Sequence, residues 1–303
     1  MDFQIRTAAF KWLEKQVLLH GDLLPRTILE QGFFFNGQRI TLVGPQGIWK
    51  PKVLELPLSI TTVVNGPYND TILMEGLLEY RYRGTDPDHR DNNGLREAMR
   101  RNIPLVYFLG IEPGKYLAEW PVFIAEDLPQ ALTFRVLIDE KSVVESYREG
   151  KPDEALYAFD EAVDYRRRYV TNQAMARLHQ RAFRARVLTA YREQCAFCRL
   201  RHPQLLDAAH IIPDKEVGGE PVIPNGLSLC KIHHAAFDSN FIGVNPDYQI
   251  IVREDILQEF DGPMLRHGIQ QMHEQKIILP GNRSNWPDRE RLEVRFNKFK
   301  EVG

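Results

Sequence analysis

CAFC (Cys195 to Cys198), DAAHIIP (Asp207 to Pro213), NGLSLC (Asn225 to Cys230) and HHAAFD (His233 to Asp238) follow one another in the second half of a 303-residue chain, and their reading decides how that half folds. All three cysteines of the protein lie here, in a C-x-x-C pair and a C-x-x-H pair. Two-residue spacing lets one tight turn present both ligands of a pair, and four sulfur and imidazole donors are what a tetrahedral structural zinc site needs. The pattern predicts zinc on Cys195, Cys198, Cys230 and one histidine. His233 and His234 both stand close to Cys230, and spacing alone does not choose between them. An odd cysteine count argues against a disulfide framework and fits a metal role in a reducing compartment.

The residues enclosed by this clamp carry a second signal. DAAHIIP, NGLSLC and HHAAFD, in that order, strongly resemble the HNH nucleases of the ββα-metal superfamily. The resemblance implies a histidine general base ending the first strand, an asparagine in the connecting loop that fixes its geometry, and a histidine on the following helix that binds a divalent ion. Those roles fall on His210, Asn225 and His234. Zinc-bearing members place the fourth zinc ligand directly before the last histidine, which assigns His233 to zinc and His234 to catalysis. Asp238 stands four residues after His234, on the same face of a helix, and is one candidate to share the ion. Asp207, on the strand leading to His210, is the other, because Ala209 cannot coordinate.

These residue types suit phosphodiester hydrolysis. A neutral histidine titrating near pH 7 takes a proton from the attacking water. A hard divalent ion, Mg²⁺ with Mn²⁺ or Ni²⁺ as alternatives, neutralises the phosphate and the leaving oxygen.

Upstream of the clamp the charge is uneven. The net charge of the chain is −2, yet residues 166 to 201 hold ten arginines against one acid, Glu193. A basic amphipathic helix is predicted over MARLHQRAFRARVLTAY, with Met175, Leu178, Phe183, Val187 and Leu188 as its apolar positions. Arg177, Arg181 and Arg184 are expected to lie along DNA and to supply affinity independent of sequence. The flanks of the motif, from RRRYVTNQ to LPGNRSNWPDRERLEVRF, are similar to those of bacterial HNH restriction endonucleases, so the likeness runs from about residue 165 to about residue 299.

The first half reads differently. A helix with Phe10, Leu13 and Val17 on one face opens the chain. Short runs rich in aromatic and β-branched residues follow: FFFNGQRITLV, SITTVV, LLEYRY, PLVYFLG, YLAEWPVFI and ALTFRVLI. They predict strands of a twisted sheet or small barrel. The stretch Arg83 to Gly94 is expected to be a polar recognition loop at a sheet edge. The fold class is α+β: a β-rich domain with helices over residues 1–140, a linker over 141–164 and a zinc-bound ββα-metal domain over 165–303.

GIWKP, GPYND, LEYRYRG and the aromatic run near residue 120 resemble the PUA- and SRA-like domains that precede HNH modules in modification-dependent restriction enzymes. That likeness implies a pocket for a flipped, modified cytosine, expected at Trp49, Tyr68, Asp70 and Tyr82. The expectation is a metal-dependent endonuclease acting on double-stranded DNA that carries 5-methyl- or 5-hydroxymethylcytosine. Two alternatives stand beside it: an HNH enzyme reading unmodified sequence or phosphorothioate DNA, and a non-catalytic zinc protein that binds nucleic acid. Cutting both strands with single-strand sites implies a homodimer. No apolar run approaches the ~18 residues of a membrane span, and the charged N-terminus lacks a signal peptide's apolar stretch; a bacterial cytoplasmic location is expected.

Overall fold

The aromatic and β-branched runs of the first half form strands in the computed structural model, which describes residues 1–63, 78–138 and 161–302. The chain folds as two units, Met1–His179 and Gln180–Gly303.

In the first unit, α1 (Asp2–His20) buries Ile5, Ala9, Phe10 and Leu13. Arg6 is buried on the same helix, where it pairs with Asp2 and donates to the carbonyls of Leu56, Pro57 and Pro104. A buried guanidinium is tolerated only when its donors are satisfied in this way. β1 (Leu23–Pro25) and α2 (Arg26–Gln31) lead to a hairpin of β2 (Phe33–Phe35) and β3 (Gln38–Ile40). Asn36 and Gly37 both have positive φ, 48° and 77°, the combination that an Asn-Gly pair supplies to a two-residue hairpin turn.

The main sheet is seven-stranded. It contains β4 (Ile48–Trp49), β5 (Ser59–Thr62), β6 (Leu78–Arg81), β7 (Leu105–Glu112), β8 (Lys115–Leu128) and β9 (Thr133–Ile138) in the order β4-β5-β7-β8-β9-β6, with β1 also pairing β8. Only the β5/β7 pair among these is parallel. Register shifts in the β7/β8 and β8/β9 pairs bend the strands. The two ends of the sheet are thereby brought together: a Cβ on Gly47, beside β4, would lie 2.9 Å from the Tyr80 hydroxyl on β6. Among the described residues no strand pair joins these ends, and the sheet curls without closing.

One expectation is corrected here. The stretch from Arg83 is not all loop, because residues from Arg90 onward form α3 (Arg90–Arg100), with the His89 ring accepting from the Asp91 N–H. Nor does polarity keep this stretch out of the core. Asn92 is fully buried, its amide satisfied by the Arg83 N–H and by the carbonyls of Arg83 and Asp86.

α4 (Glu161–Ala190) carries the basic sequence. Within the second unit it buries Phe183, Val187 and Leu188 against β10 (Leu206–His210) and β11 (Gly226–Cys230), an antiparallel pair followed directly by α5 (Lys231–Asp238). Leu178 is buried too, and the Met175 side chain lies outside those described. A second hairpin, β12 (Ile242–Val244) and β13 (Ile250–Val252), then α6 (Glu254–Gln258), α7 (Pro263–Gly268) and α8 (Arg289–Val302) complete this core, with Leu292 of α8 buried in it.

Candidate functional site

The β10-β11-α5 element places two clusters on either side of one short helix. Cys230 ends β11 opposite Leu206, and the turn holding Cys195 and Cys198 is stitched to β11 by an N–H of Ala196 donating to the Ser228 carbonyl. The four ligand atoms of Cys195, Cys198, Cys230 and His233 all lie within 4.8 Å of one another. His233 Nδ1 is 3.5 Å from Cys195 Sγ and 3.2 Å from Cys230 Sγ, and the sulfurs of Cys198 and Cys230 are 3.9 Å apart. A tetrahedral zinc ion with bonds of about 2.3 Å to sulfur and about 2.0–2.1 Å to nitrogen sets ligand edges of about 3.5–3.8 Å. The three separations just given, 3.2, 3.5 and 3.9 Å, bracket those edges. His233 Nε2 donates to the Gly268 carbonyl at 2.7 Å, which fixes the tautomer that leaves Nδ1 free for a metal.

The neighbouring His234 points elsewhere. Its Nδ1 lies 3.6 Å from Asp207 Oδ2 and its Nε2 lies 3.2 Å from Asp238 Oδ2. The hydrogen bond with Asp238 raises its pKa above the ordinary histidine value, against the opposing effect of burial, and Asp207 adds to the rise. Asp207 also meets Lys231 Nζ at 2.5 Å and Arg184 Nε at 3.4 Å. Burial pushes the Asp207 carboxyl upward, but Lys231 foremost, then His234 and Arg184, hold it below its usual value.

His210 ends β10 beside Gly226 of β11. Its ring stacks on Phe183 with centroids 4.1 Å apart, and its Nε2 is buried without a hydrogen-bond partner among the described residues. Burial lowers its pKa, opposed by Asp214 and Asp238 and reinforced by His234. Gly226 is needed at this point because a Cβ there would sit 2.5 Å from Val187 Cγ2 and 2.9 Å from Phe183 Cζ.

Asn225 does not form an ordinary turn. It is fully buried, its Oδ1 accepts from the Ile212 N–H at 2.9 Å, and its Nδ2 donates to the carbonyls of Ile212 and Glu220 at 3.0 and 3.1 Å. Its own carbonyl accepts from the Ile211 N–H. The asparagine thus clamps the two residues that follow His210.

Of the arginines expected on DNA, Arg177 is exposed. Arg181 is half-buried. Arg184 spends its donors inside the unit, on the carbonyls of Pro203 and Leu206 and on Asp207. Sequence reading passed over Lys231, Asp214 and Arg295, whose Nη2 donates to the Phe237 carbonyl at the end of α5, and gave Phe183 only as an apolar position of the basic helix. Only Lys231 carried a signal, as the first residue of the helix bearing both histidines.

In the first unit a cavity of about 230 Å³ occupies the seam of the sheet, lined among others by Ile48, Thr61, Thr62, Tyr80, Tyr82 and Arg83. Tyr82 belongs to this lining as well as to the core. Trp49 does not line it; its ring covers Gly44 and its Nε1 donates to the Thr41 carbonyl. Tyr68 and Asp70 lie outside the described residues.

The ββα element thus sets four side chains that could hold a metal ion beside a cluster of a histidine and two carboxylates. Residues 195–245 match the family described as HNH endonuclease. The chain carries an HNH endonuclease domain, and the protein is a DNA endonuclease. No curated protein matches the chain. Among solved structures, a modification dependent TagI restriction endonuclease is similar at 15% identity and a TM-score of 0.29, over 80% of this chain and 81% of that one. No helix among the described residues is long and apolar enough to cross a membrane.

Proposed function

We propose that the protein hydrolyses double-stranded DNA with His210 as general base, Asn225 as its positioning residue, and His234 with Asp238 as the holders of a divalent ion. The observation that carries this reading is the placement of His210, unpartnered at Nε2 among the described residues, on the strand end that Asn225 clamps, in the same ββα element as His234 and Asp238. Burial lowers the His210 pKa, which favours the neutral ring, the form that accepts the proton of an attacking water. The 3.2 Å between His234 Nε2 and Asp238 Oδ2 fits two adjacent ligands of an octahedral ion, whose edge is about 3.0 Å for bonds of about 2.1 Å. Such an ion, when bound, supplies positive charge for the scissile phosphate and the leaving 3′ oxygen. The Cys195, Cys198, Cys230 and His233 quartet is structural in this reading, because four protein ligands leave no open position. Arg177 and Arg181 contribute phosphate contacts.

The first unit is the reader of this proposal. Support comes from the seam cavity, whose about 230 Å³ suits one extrahelical base and whose tyrosines and threonines offer stacking and hydrogen-bonding groups. Selection of 5-methyl- or 5-hydroxymethylcytosine, action as a homodimer and a PUA- or SRA-like ancestry belong to the same proposal. The test digests matched plasmids carrying cytosine, either modified cytosine, or phosphorothioate linkages, with Mg²⁺ or Mn²⁺. Cleavage of the modified plasmid, lost in His210→Ala at unchanged zinc content, is the expected result. Equal cutting of all plasmids would sink the modification reading, and a His210→Ala protein cutting at the parent's rate would sink the mechanism.

A further inference from the structure

Asp207 and Asp238 approach His234 from opposite sides of its ring, one at Nδ1 and the other at Nε2. The lone-pair directions of the two ring nitrogens diverge, so a single ion bound by His234 cannot be shared with both carboxylates. One of them has another task.

The surroundings separate the two. Asp238 is 61% exposed, and among the described residues its only ion-pair partner is His234, so its oxygens stay open towards solvent and a substrate phosphate. Asp207 is 24% exposed and already holds Lys231 and Arg184. A divalent ion on Asp207 would stand beside an ammonium and a guanidinium, and like charges at that range repel. Arg184 also binds the carbonyls of Pro203 and Leu206, which ties the start of β10 to α4 and fixes where the Asp207 carboxylate sits. Metal-binding histidines commonly donate their second N–H to a carboxylate that sets the tautomer and raises the basicity of the ligating nitrogen.

We propose that Asp207 is not a ligand of the divalent ion but the positioning residue of His234, its carboxylate facing Nδ1 at 3.6 Å and accepting the Nδ1–H as that gap closes, so that Nε2 faces Asp238, with Lys231 and Arg184 holding Asp207 in turn. This rests on the reading of His234 and Asp238 as the ion's holders. It also moves Arg184 from the DNA surface to the frame of the site.

Calorimetric titration of the zinc-loaded full chain with Mn²⁺ alone, paired with ¹⁵N NMR of the His234 ring, tests it. Asp207→Ala should weaken Mn²⁺ binding by about 10–100-fold and move the ring away from the Nδ1–H tautomer. In Asp207→Asn the amide oxygen still accepts from Nδ1–H, so the tautomer should be kept and most of the affinity restored. Asp238→Ala should remove binding altogether. Unchanged affinity or an unchanged tautomer in Asp207→Ala would overturn the inference, as would loss in both Asp207 variants as complete as in Asp238→Ala. A parent protein that does not bind Mn²⁺, or a His234→Ala variant that binds it normally, would instead overturn the underlying reading of the site.

Discussion

Replacing Asn225 by alanine separates the positioning role of this residue from its structural one. The side chain is fully buried and makes three hydrogen bonds, to the N–H and the carbonyl of Ile212 and to the carbonyl of Glu220. Truncation takes their partner from the Ile212 N–H and carbonyl, at about 1–3 kcal/mol for each that stays dry, whereas the Glu220 carbonyl still accepts from the Val222 N–H. Ile212 is itself buried, whereas the contact with Glu220 is only part-buried and water replaces it at less cost. The expected loss is about 3–5 kcal/mol. For a unit the size of Gln180–Gly303 that lowers the melting temperature by roughly 10–20 °C, taking about 2.1 cal/mol/K of unfolding entropy per residue. Thermal denaturation of the full-length variant reads this change. Plasmid nicking well below the lowered midpoint then reads function, since there the protein is folded and only the freedom of the segment after His210 differs. Nicking should fall at least tenfold under those conditions. A variant melting within 2 °C of the parent would refute the hydrogen-bond argument, and a folded variant nicking at the parent's rate would refute the positioning argument.

Two further outcomes follow from the same site. Burial lowers the His210 pKa against the opposing pull of Asp214 and Asp238, so the neutral base persists below pH 6.5 and kcat/KM falls only as pH drops through the lowered value; an acid limb centred at or above pH 6.5 in a pH–rate profile would contradict this. The same depression makes His210 a stabilising neutral group above its unfolded value, with that contribution lost on acidification. Zinc removal by a tight chelator should abolish the cooperative unfolding of the second unit, since structural zinc supplies about 10–16 kcal/mol in small zinc-dependent folds, and an apo protein with the parent's melting profile would show the quartet to be dispensable.

The parts legible in the sequence were those set by local chemistry. Asn36 and Gly37 announce their hairpin through the positive φ that both adopt. The two cysteine-containing pairs announce a cluster of four potential metal ligands, because two-residue spacing keeps the members of each pair together. Alternating aromatic and β-branched residues marked β7, β8 and β9, where the ladder takes almost every residue of the run. What stayed hidden depends on residues far apart in the chain. Arg184 looks like any other arginine of a basic helix until β10 brings the Pro203 and Leu206 carbonyls to it. Phe183 reads as core, and only the fold shows that His210 stacks on it. The stretch after Arg83 misled because composition alone speaks for a loop, whereas Asn92 finds three backbone partners that make its burial inexpensive.

The seam of the first unit's sheet, where no strand pair is formed among the described residues, bears on how readily its preferences can change. Elsewhere the strands are bound by ladder hydrogen bonds, and altering a wall means disturbing register. At the seam, the side chains of Tyr80 and Tyr82 line the cavity, so exchanging one of them leaves every ladder bond between the described strands in place. Variation can accumulate there at the modest cost of side-chain substitution, and a library restricted to the seam would sample new ligand preferences on an intact scaffold.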